Sequence, residues 1–183
     1  DAAAKLSNSS GWNAVTANSS NPAAVSVTAA AGAPVTSLSL EVQQLAKAQS
    51  TASTAVPTAT AMGAGSMTIE LGSWSGNAFT AGSGTPVSVT INAGEDTLAE
   101  IAAKINDADA GVSATVLKDA SGERLLMRSK ETGLTNGFRI SVADGDGNNT
   151  DASGLSRLAY DASNANGMGQ TQAGQNALST ING

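Results

Sequence analysis

The residues best suited to chemistry in this sequence are the carboxylates and side-chain amides of the segment "DGDGNNTD". Asp144, Asp146 and Asn148 have the alternate spacing with which calcium-binding loops begin, and Ca²⁺ prefers oxygen ligands of this kind. The pattern then fails, because the sixth position is Asn149 rather than glycine and the twelfth is Leu155 rather than glutamate. The segment is therefore predicted to be a solvated turn, and no metal ligand is assigned to it.

Composition excludes the other common routes to catalysis. The sequence has no cysteine and no histidine, so Cys–His and Ser–His–Asp nucleophiles cannot be assembled. The usual ligands of zinc, haem and iron–sulfur clusters are missing as well. The glycine-rich segment "GSWSGNAFTAGSG" lacks the Gly-Lys-Ser/Thr of a phosphate-binding loop, and Asp107 and Asp109 are interpreted as surface charges near a helix end. We predict no catalytic, cofactor-binding or metal-binding residue, and a protein that is not an enzyme.

The charge balance excludes nucleic acids and membrane surfaces as partners. The 183 residues carry 9 basic and 15 acidic side chains, a formal net charge of −6, whereas phosphate and anionic-lipid binding need a basic surplus. No apolar run reaches the roughly 20 residues of a membrane-spanning helix. Basic residues in the second half could pair with acids of neighbouring subunits, although a solvated sheet face is the simpler interpretation; they are Arg124, Arg128, Lys130 and Arg139.

The most clearly specified element is a helix in the segment "TLAEIAAKINDADAG". Thr97 and Glu100 match a capping box, in which each side chain bonds to the other residue's backbone amide. The helix is predicted over about 97–108, with Gly111 as its stop. Its apolar residues recur at helical spacings and form one stripe: Leu98, Ile101 and Ile105. Because so short a helix is marginal alone in water, it is predicted to pack on a sheet.

Alternation of apolar and polar residues predicts strands through the rest of the chain. The predicted strands are 23–29, 37–43, 66–71, 87–91, 112–118, 123–129, 138–142 and, more weakly, 176–183. The first two are expected to pair across a turn at 31–34, and the third and fourth to be neighbours. The next three are expected to form one antiparallel sheet covered by the helix. The predicted fold is α+β, mainly β.

Segments without periodicity are predicted to be linkers or loops. The charge-free stretch 49–65 and the polar stretch 163–175 are the two predicted linkers, and 72–86 is a predicted loop. The segment 154–162 is expected to form a short helical turn that packs Leu155, Leu158 and Tyr160. Trp12 is the only bulky residue of the polar start, which has neither an initiator methionine nor a signal sequence, so we expect a fragment or a processed form.

Four segments, in this order, resemble the head region of bacterial flagellar filament cap proteins, the flagellar hook-associated protein 2 family. They are "LSLEVQQLAKAQS", "TLAEIAAKINDADAGVSATVL", "GERLLMRSKETGLTNGFRISV" and "LAYDASNANGMGQTQAGQNALSTING". The second resembles the flagellin hook IN motif, named for an Ile-Asn pair that is Ile105-Asn106 here. That motif is shared with flagellins and other axial proteins, so the order of the four segments carries the resemblance.

The resemblance implies two small antiparallel-sheet head domains. An inner domain would be discontinuous, 20–60 plus 163–183, and an outer domain, 61–162, would be inserted into it and carry the IN motif. The long coiled-coil legs of the family have no counterpart in this sequence, which implies the head region of a longer protein.

The resemblance also implies a structural role at the extracellular tip of the bacterial flagellum. Such proteins are secreted, self-associate into a ring-like cap, retain flagellin and promote its folding and insertion. The partners implied are flagellin and the hook–filament junction proteins. Two alternatives are another axial protein, such as a junction component, and an adhesive module that binds host glycans or mucin. The sequence alone determines neither the number of subunits nor the loops that contact flagellin.

Overall fold

The computed structural model describes residues 15–162 and 164–183. Within these residues it contains one α-helix, α1 (Leu98–Asp107), and two 3₁₀ helices, Leu134–Asn136 and Gly154–Leu158. The strands are β1 (Leu40–Gln44), β2 (Ser50–Ala52), β3 (Gly65–Ser75), β4 (Ala78–Ala81), β5 (Val87–Ile91), β6 (Val112–Asp119), β7 (Gly122–Ser129), β8 (Gly137–Asp144), β9 (Gly169–Gln172) and β10 (Leu178–Ile181). The chain is mainly β with a single helix, which confirms the predicted fold class. Trp12 lies outside the described residues.

The chain divides into two compact units, Asp1–Glu41 with Ile181–Gly183, and Val42–Thr180. In the described part of the first unit no residue is buried. The predicted strand 23–29 is wrong: apart from a turn at its start, the segment has no regular structure. Its alternating pattern finds no partner strand, and a strand needs such a partner for its backbone groups. The predicted turn at 31–34 is confirmed, because the Ala33 amide donates to the Ala30 carbonyl at 3.1 Å.

The first sheet of the second unit is built around β3. Strands β5 and β4 pair with successive parts of one edge of β3, and β8 pairs with the other edge, all antiparallel. The prediction that 66–71 and 87–91 are neighbours is confirmed. The predicted loop 72–86 is wrong in its first half, because β3 continues to Ser75 and turns into β4. Gly72 permits this hairpin, since a Cβ there would lie 2.6 Å from the Phe79 ring.

The second sheet has the strand order β6-β7-β2-β9. The predicted hairpin between 112–118 and 123–129 is confirmed, with Asp119 opposite Gly122. The third strand expected in this sheet, 138–142, is instead β8 of the first sheet, because its hydrogen-bonding partner is β3. Strands β2 and β9 complete the second sheet, so the predicted linkers 49–65 and 163–175 both contain strands. Their small polar residues are compatible with burial between neighbours, as at Thr51, which is 1% exposed.

Helix α1 packs against β5, β6 and β7, so both sheets and the helix share one apolar core. The predicted stripe is confirmed: Leu98, Ile101 and Ile105 are at most 1% exposed. The helix ends at Asp107, earlier than the predicted stop at Gly111, and the chain leaves it through Asp109 and Gly111, whose φ angles of +48° and +72° both lie in the left-handed region. The predicted helical turn at 154–162 is a 3₁₀ helix that buries Leu155 and Leu158.

The predicted pairing of the first two strands is also wrong. The second predicted strand, 37–43, exists as β1, but it forms a two-stranded sheet with β10. The pairing confirms a strand within 176–183. The apolar residues of β1 do not form a buried face, since Leu40 and Val42 are 41% and 46% exposed.

None of the helices in the described part of the chain has the length and hydrophobicity needed to cross a lipid bilayer. The division into an inner and an inserted outer domain remains a prediction.

Candidate interaction surface

The start of α1 is fixed by the predicted capping box. The Thr97 amide donates to the Glu100 carboxylate at 3.0 Å, and the Glu100 amide donates to the Thr97 hydroxyl at 3.4 Å. The Thr97 hydroxyl also donates to the Glu100 carboxylate at 2.6 Å; this bond, followed by the one from the Thr97 amide, lowers the pKa of Glu100. Two of the amides that a helix start leaves unpaired are thereby satisfied, which fixes where the helix begins.

The Asn of the IN motif joins the helix to the edge of the second sheet. The Asn106 side chain donates through Nδ2 to the Ala114 carbonyl at 2.8 Å and accepts at Oδ1 from the Ala114 amide at 2.8 Å. A side-chain amide therefore occupies the place that a neighbouring strand would take beside β6, which is an edge strand. Ile105 is buried beneath it. The motif thus combines a core residue with a residue that pairs with the strand edge; we call the latter contact the Asn106 clamp.

A second side-chain amide makes the same contact in the interior. Gln49 donates through Nε2 to the Phe138 carbonyl at 2.9 Å and accepts at Oε1 from the Phe138 amide at 3.1 Å. Its own backbone carbonyl accepts from the Ser129 amide of β7 at 3.0 Å. Gln49 is 1% exposed. One residue therefore connects β7 of the second sheet with β8 of the first, and we call this contact the Gln49 clamp.

Sequence reasoning did not find either clamp. Gln49 stands at the start of the stretch predicted to be a linker, and nothing local distinguishes it from the neighbouring glutamines. Asn106 was identified only as half of a motif name. Its signal was available, since a polar residue directly after the last buried residue of a helix lies at the edge of the buried stripe. The strand that it contacts could not be inferred without the fold.

Ion pairs surround both ends of α1. Lys104 contacts Glu95 at 2.9 Å, and Lys130 pairs with Asp109. The lysine hydrogen bond is the largest cause of the lowered pKa at each carboxylate, Lys104 for Glu95 and Lys130 for Asp109. Both lysines at the helix ends therefore pair with acids of their own chain.

Two further basic residues of the predicted cluster behave in the same way. Arg124 lies 3.7 Å from Asp119, and Arg139 pairs with Glu70 and lies 3.6 Å from Asp161. Three members of the predicted cluster (Arg124, Lys130 and Arg139) therefore have acidic partners within the chain. The inter-subunit pairing suggested by the sequence is not needed to balance them.

The aromatic residues of the described part of the chain gather in one patch on the first sheet. The Trp74 ring lies 5.0 Å from Phe79 and 5.2 Å from Tyr160, and Phe138 lies 6.1 Å from Tyr160. The Arg139 guanidinium lies 4.9 Å from the Phe79 ring centre, within cation–π range. Trp74 donates through Nε1 to the Phe138 carbonyl at 2.9 Å, and burial raises the pKa of Tyr160. The rings thus brace β3, β4 and β8 against one another.

The carboxylates that opened the sequence analysis do come together. Oxygens of Asp144, Asp146 and Asp151 lie within 4.8 Å of one another. Each, however, already accepts hydrogen bonds within its own loop: Asp144 from the Ser156 amide at 3.0 Å, Asp146 from Asn148 and Asp151 from Ser153. The Ser153 hydroxyl is the largest cause of the lowered pKa of Asp151. This geometry is that of the predicted solvated turn, and we assign no metal to it.

Comparison with known families matches two parts of the chain. Residues 1–49 match the model of the flagellar hook-associated protein 2 N-terminus, and residues 78–131 match that of the flagellin hook IN motif. The second match contains the capping box, the buried stripe and the Asn106 clamp.

A solved structure decides the family. The crystal structure of the flagellar cap protein FliD D2-D3 domains from Escherichia coli is 33% identical in sequence and superimposes with a TM-score of 0.69, covering 85% of this chain and 75% of that one. The chain belongs to the flagellar cap protein family. A flagellar cap protein structure from Serratia marcescens, also of the D2-D3 domains, matches at 28% identity and a TM-score of 0.64, with 80% and 74% covered.

Curated cap proteins are considerably longer than this chain. Flagellar hook-associated protein 2 of Escherichia coli K12 is 34% identical over 91% of this chain, which spans 34% of that protein. The B-type flagellar hook-associated protein 2 of Pseudomonas aeruginosa is 41% identical over 42% of this chain and 16% of its own length. The chain therefore corresponds to about a third of the length of the cap protein with the most extended match here.

Proposed function

We propose that this chain is the head part of a flagellar filament cap, a structural protein that retains flagellin at the growing tip and promotes its folding and insertion. The observation that carries this proposal is the superposition on the cap protein D2-D3 domains over 85% of the chain. The proposed location is extracellular, at the tip of the filament, and the proposed mechanism needs no catalytic residue or cofactor.

The contacts of the second unit fit a rigid building block. Its two sheets share one core with α1, the Gln49 clamp connects the sheets, and the Asn106 clamp connects the helix to an edge strand. A domain that must bind an incoming subunit in a defined position benefits from such bracing, because internal movement would change the position of the binding surface. Five of its basic side chains, Lys104, Lys118, Arg124, Lys130 and Arg139, form ion pairs within the chain, so none of these five is needed to bind a partner.

The first unit fits a surface that assembles with other parts. Its described residues expose large aliphatic side chains and bury none; those most exposed are Val27, Val35, Leu38, Leu40 and Ile181. Val35 is 98% exposed. Large exposed apolar side chains are typical of surfaces that bind other protein when they form a contiguous patch. We propose that this unit contributes to self-association of the cap, with flagellin and the hook–filament junction as further partners.

The inner and outer head domains of the sequence analysis are part of the same proposal. Their support is that chain segments from both ends run side by side: β2 pairs with β9, and Lys47 bridges Gln175. The β2–β7 pairing links the two proposed domains within one sheet, so a division at residues 60 and 163 would cross that sheet.

A complementation experiment tests the proposed function. The full-length gene that contains the coding region of this chain is expressed in a strain that lacks its own cap protein, and filament length and flagellin lost to the medium are measured. Restored filaments with little lost flagellin are expected. A control gene carrying Ile105→Asp should fail, because it places a charge in the core. Secretion of the unaltered protein without filament growth would contradict the proposal.

Adhesion to host glycans or mucin and a junction role remain untested predictions. No contact described above favours either of them over a cap function.

A further inference from the structure

The exposed loop between β8 and the second 3₁₀ helix contains a sequence that no part of the proposed function uses. Asn148-Asn149-Thr150 has the form Asn-X-Thr, with X other than proline, which is the acceptor sequence for attachment of sugar to an asparagine nitrogen. Two other segments have the form Asn-X-Ser, beginning at Asn8 and Asn18; Asn8 lies outside the described residues.

The backbone of this loop is held while the acceptor side chain faces solvent. The Asn148 carbonyl accepts from the Ser156 hydroxyl at 2.6 Å, and the Asn148 amide donates to the Asp146 carboxylate at 2.8 Å. Asn148 and its neighbours on both sides are exposed. A Cβ added at Gly147 would meet no atom within 4 Å. The surroundings therefore leave room for a bulky group on Asn148.

Thr150, the third residue of the Asn-X-Thr acceptor sequence, contacts the side-chain amide of Asn148. The Thr150 amide and hydroxyl lie 3.3 Å and 3.4 Å from Oδ1 of Asn148, and both can donate to it. Among the contacts of the described residues, none engages Nδ2 of Asn148. Hydrogen bonds to the oxygen favour the form of the amide that has lost a proton from nitrogen, because they stabilise the charge that collects on oxygen. The nitrogen then carries an electron pair for bond formation.

We propose that Asn148 is a site of N-linked glycosylation. A transferase would supply the sugar as a glycosyl diphosphate. Nδ2 of Asn148 attacks the anomeric carbon, a C–N bond forms, the bond between that carbon and the diphosphate oxygen breaks, and its electron pair leaves with the diphosphate. The proton lost from Nδ2 passes to a base of the transferase or to water. No oxidant or reductant is required. The inference is independent of the proposed cap function.

The sequence at Asn18 provides an internal comparison. Asn18 is exposed and is followed by Ser19 and Ser20. The Ser19 hydroxyl accepts from the Asn21 amide at 3.2 Å, and no contact joins the Ser20 hydroxyl to the Asn18 amide among the described residues. If the hydroxyl–amide contact matters, modification should favour Asn148 over Asn18.

Mass spectrometry of the protein isolated from the cells that naturally produce it tests the proposal. Trypsin cleavage after Arg139 and Arg157 releases the peptide 140–157, which contains a single Asn-X-Thr sequence. We expect this peptide to carry a sugar that fragmentation places on Asn148. A single hexose would identify a nucleotide-linked donor, and a preassembled oligosaccharide a lipid-linked donor.

Two variants expressed in the same cells separate N-linkage from other outcomes. Asn148→Gln removes the acceptor, and Thr150→Ala keeps the acceptor but removes the hydroxyl; both are expected to abolish the modification, whereas Thr150→Ser should retain it. Thermal unfolding confirms that the variants are folded. An unmodified peptide from the native protein overturns the proposal, as does a sugar located on Thr150 or Ser153, or a Thr150→Ala protein that is modified as fully as the unaltered one.

Discussion

The Asn106 and Gln49 clamps are the same contact placed in two different environments. Each uses both ends of a side-chain amide to pair with the N–H and C=O of a single strand residue, Ala114 or Phe138. Asn106, an exposed residue, reaches across 8 residues to a half-buried contact at the sheet edge, whereas Gln49 reaches across 89 residues in the interior. The first completes a local unit of helix and strand, and the second connects two sheets that the chain forms separately.

The difference shows how environment sets the value of an identical bond. The Asn106 side chain is exposed at the sheet edge, so water can take its place beside the Ala114 backbone, and the net value of the contact is small. A buried group that loses its partner keeps the full cost of being removed from water. The Gln49 clamp should therefore dominate stability, although the Asn106 clamp belongs to the recognisable motif.

The largest expected effect is that of Gln49→Ala. We expect a loss of about 2–4 kcal/mol of unfolding free energy, because the Phe138 amide is left without an acceptor and the side-chain volume is emptied. Urea unfolding measures it. Gln170→Ala, which removes an exposed glutamine of β9, is the matched control and should stay within about 0.5 kcal/mol of the unaltered protein. Equal losses in the two variants would contradict the central role of Gln49.

Asn106→Ala should have a smaller effect, about 0.5–1.5 kcal/mol. The effect should be local. Hydrogen exchange at the Ala114 amide should accelerate, whereas the Phe138 amide should still exchange only through global unfolding. Asp107→Asn, an exposed neighbour on the same helix, serves as the control and should leave the Ala114 amide protected. Unchanged protection of Ala114 in the Asn106→Ala protein would show that another group can replace the clamp.

Acid should weaken the surroundings of the Asn106 clamp before those of the Gln49 clamp. Lysine partners lower the pKa of Glu95 below its ordinary 4.5 and that of Asp109 below its ordinary 3.8. For a carboxylate whose pKa is lower in the folded state, the stabilisation is present above the ordinary value and is lost as pH falls through the folded pKa. Protection factors of α1 and β6 amides should therefore fall first on acidification.

Lys104→Gln is the control for this acid effect, because it should remove the share that comes from Glu95. High salt should reduce the effect as well, since these exposed pairs are screened. Simultaneous loss of protection in both regions would indicate that the carboxylates act on the whole unit.

The smallest expected quantity is the coupling between the two clamps. They contact different strands in different sheets and share no partner, so the losses from Gln49→Ala and Asn106→Ala should add to within about 0.5 kcal/mol in the double variant. Unfolding measurements on the four proteins of this cycle give the coupling. A larger value would mean that the helix transmits strain from one sheet to the other.

The same contrast explains how much could be predicted from the sequence. The segment from Thr97 to Ser129 was predicted correctly as capped helix, strand, turn and strand, because its caps, periodicity and hairpin are local signals. Strand β3 and its neighbour β5 were found for the same reason. The fold class and the family followed from these parts together with the order of the four similar segments.

What was missed depends on partners that are distant in the sequence. The segments that contain β2 and β9 were predicted to be linkers. They were missed because short runs of small polar residues become strands only where a sheet edge is available. β8 was assigned to the wrong sheet, since its alternation gives one apolar face but not the strand beside it. The segment 23–29 shows the converse, an alternating pattern without any partner.

The position of β2 has a consequence for the order in which the chain can fold. Ser50 lies between Arg128 on one side and Gln172 on the other, so this strand is made early in the chain but acquires its last neighbour from close to the end. Pairings of such high contact order form slowly, because a long loop must close, with a loss of chain entropy, before any hydrogen bond can compensate for it. Until the segment containing β9 arrives, one edge of β2 stays open, which makes the final stretch of the chain the closing step of the second sheet.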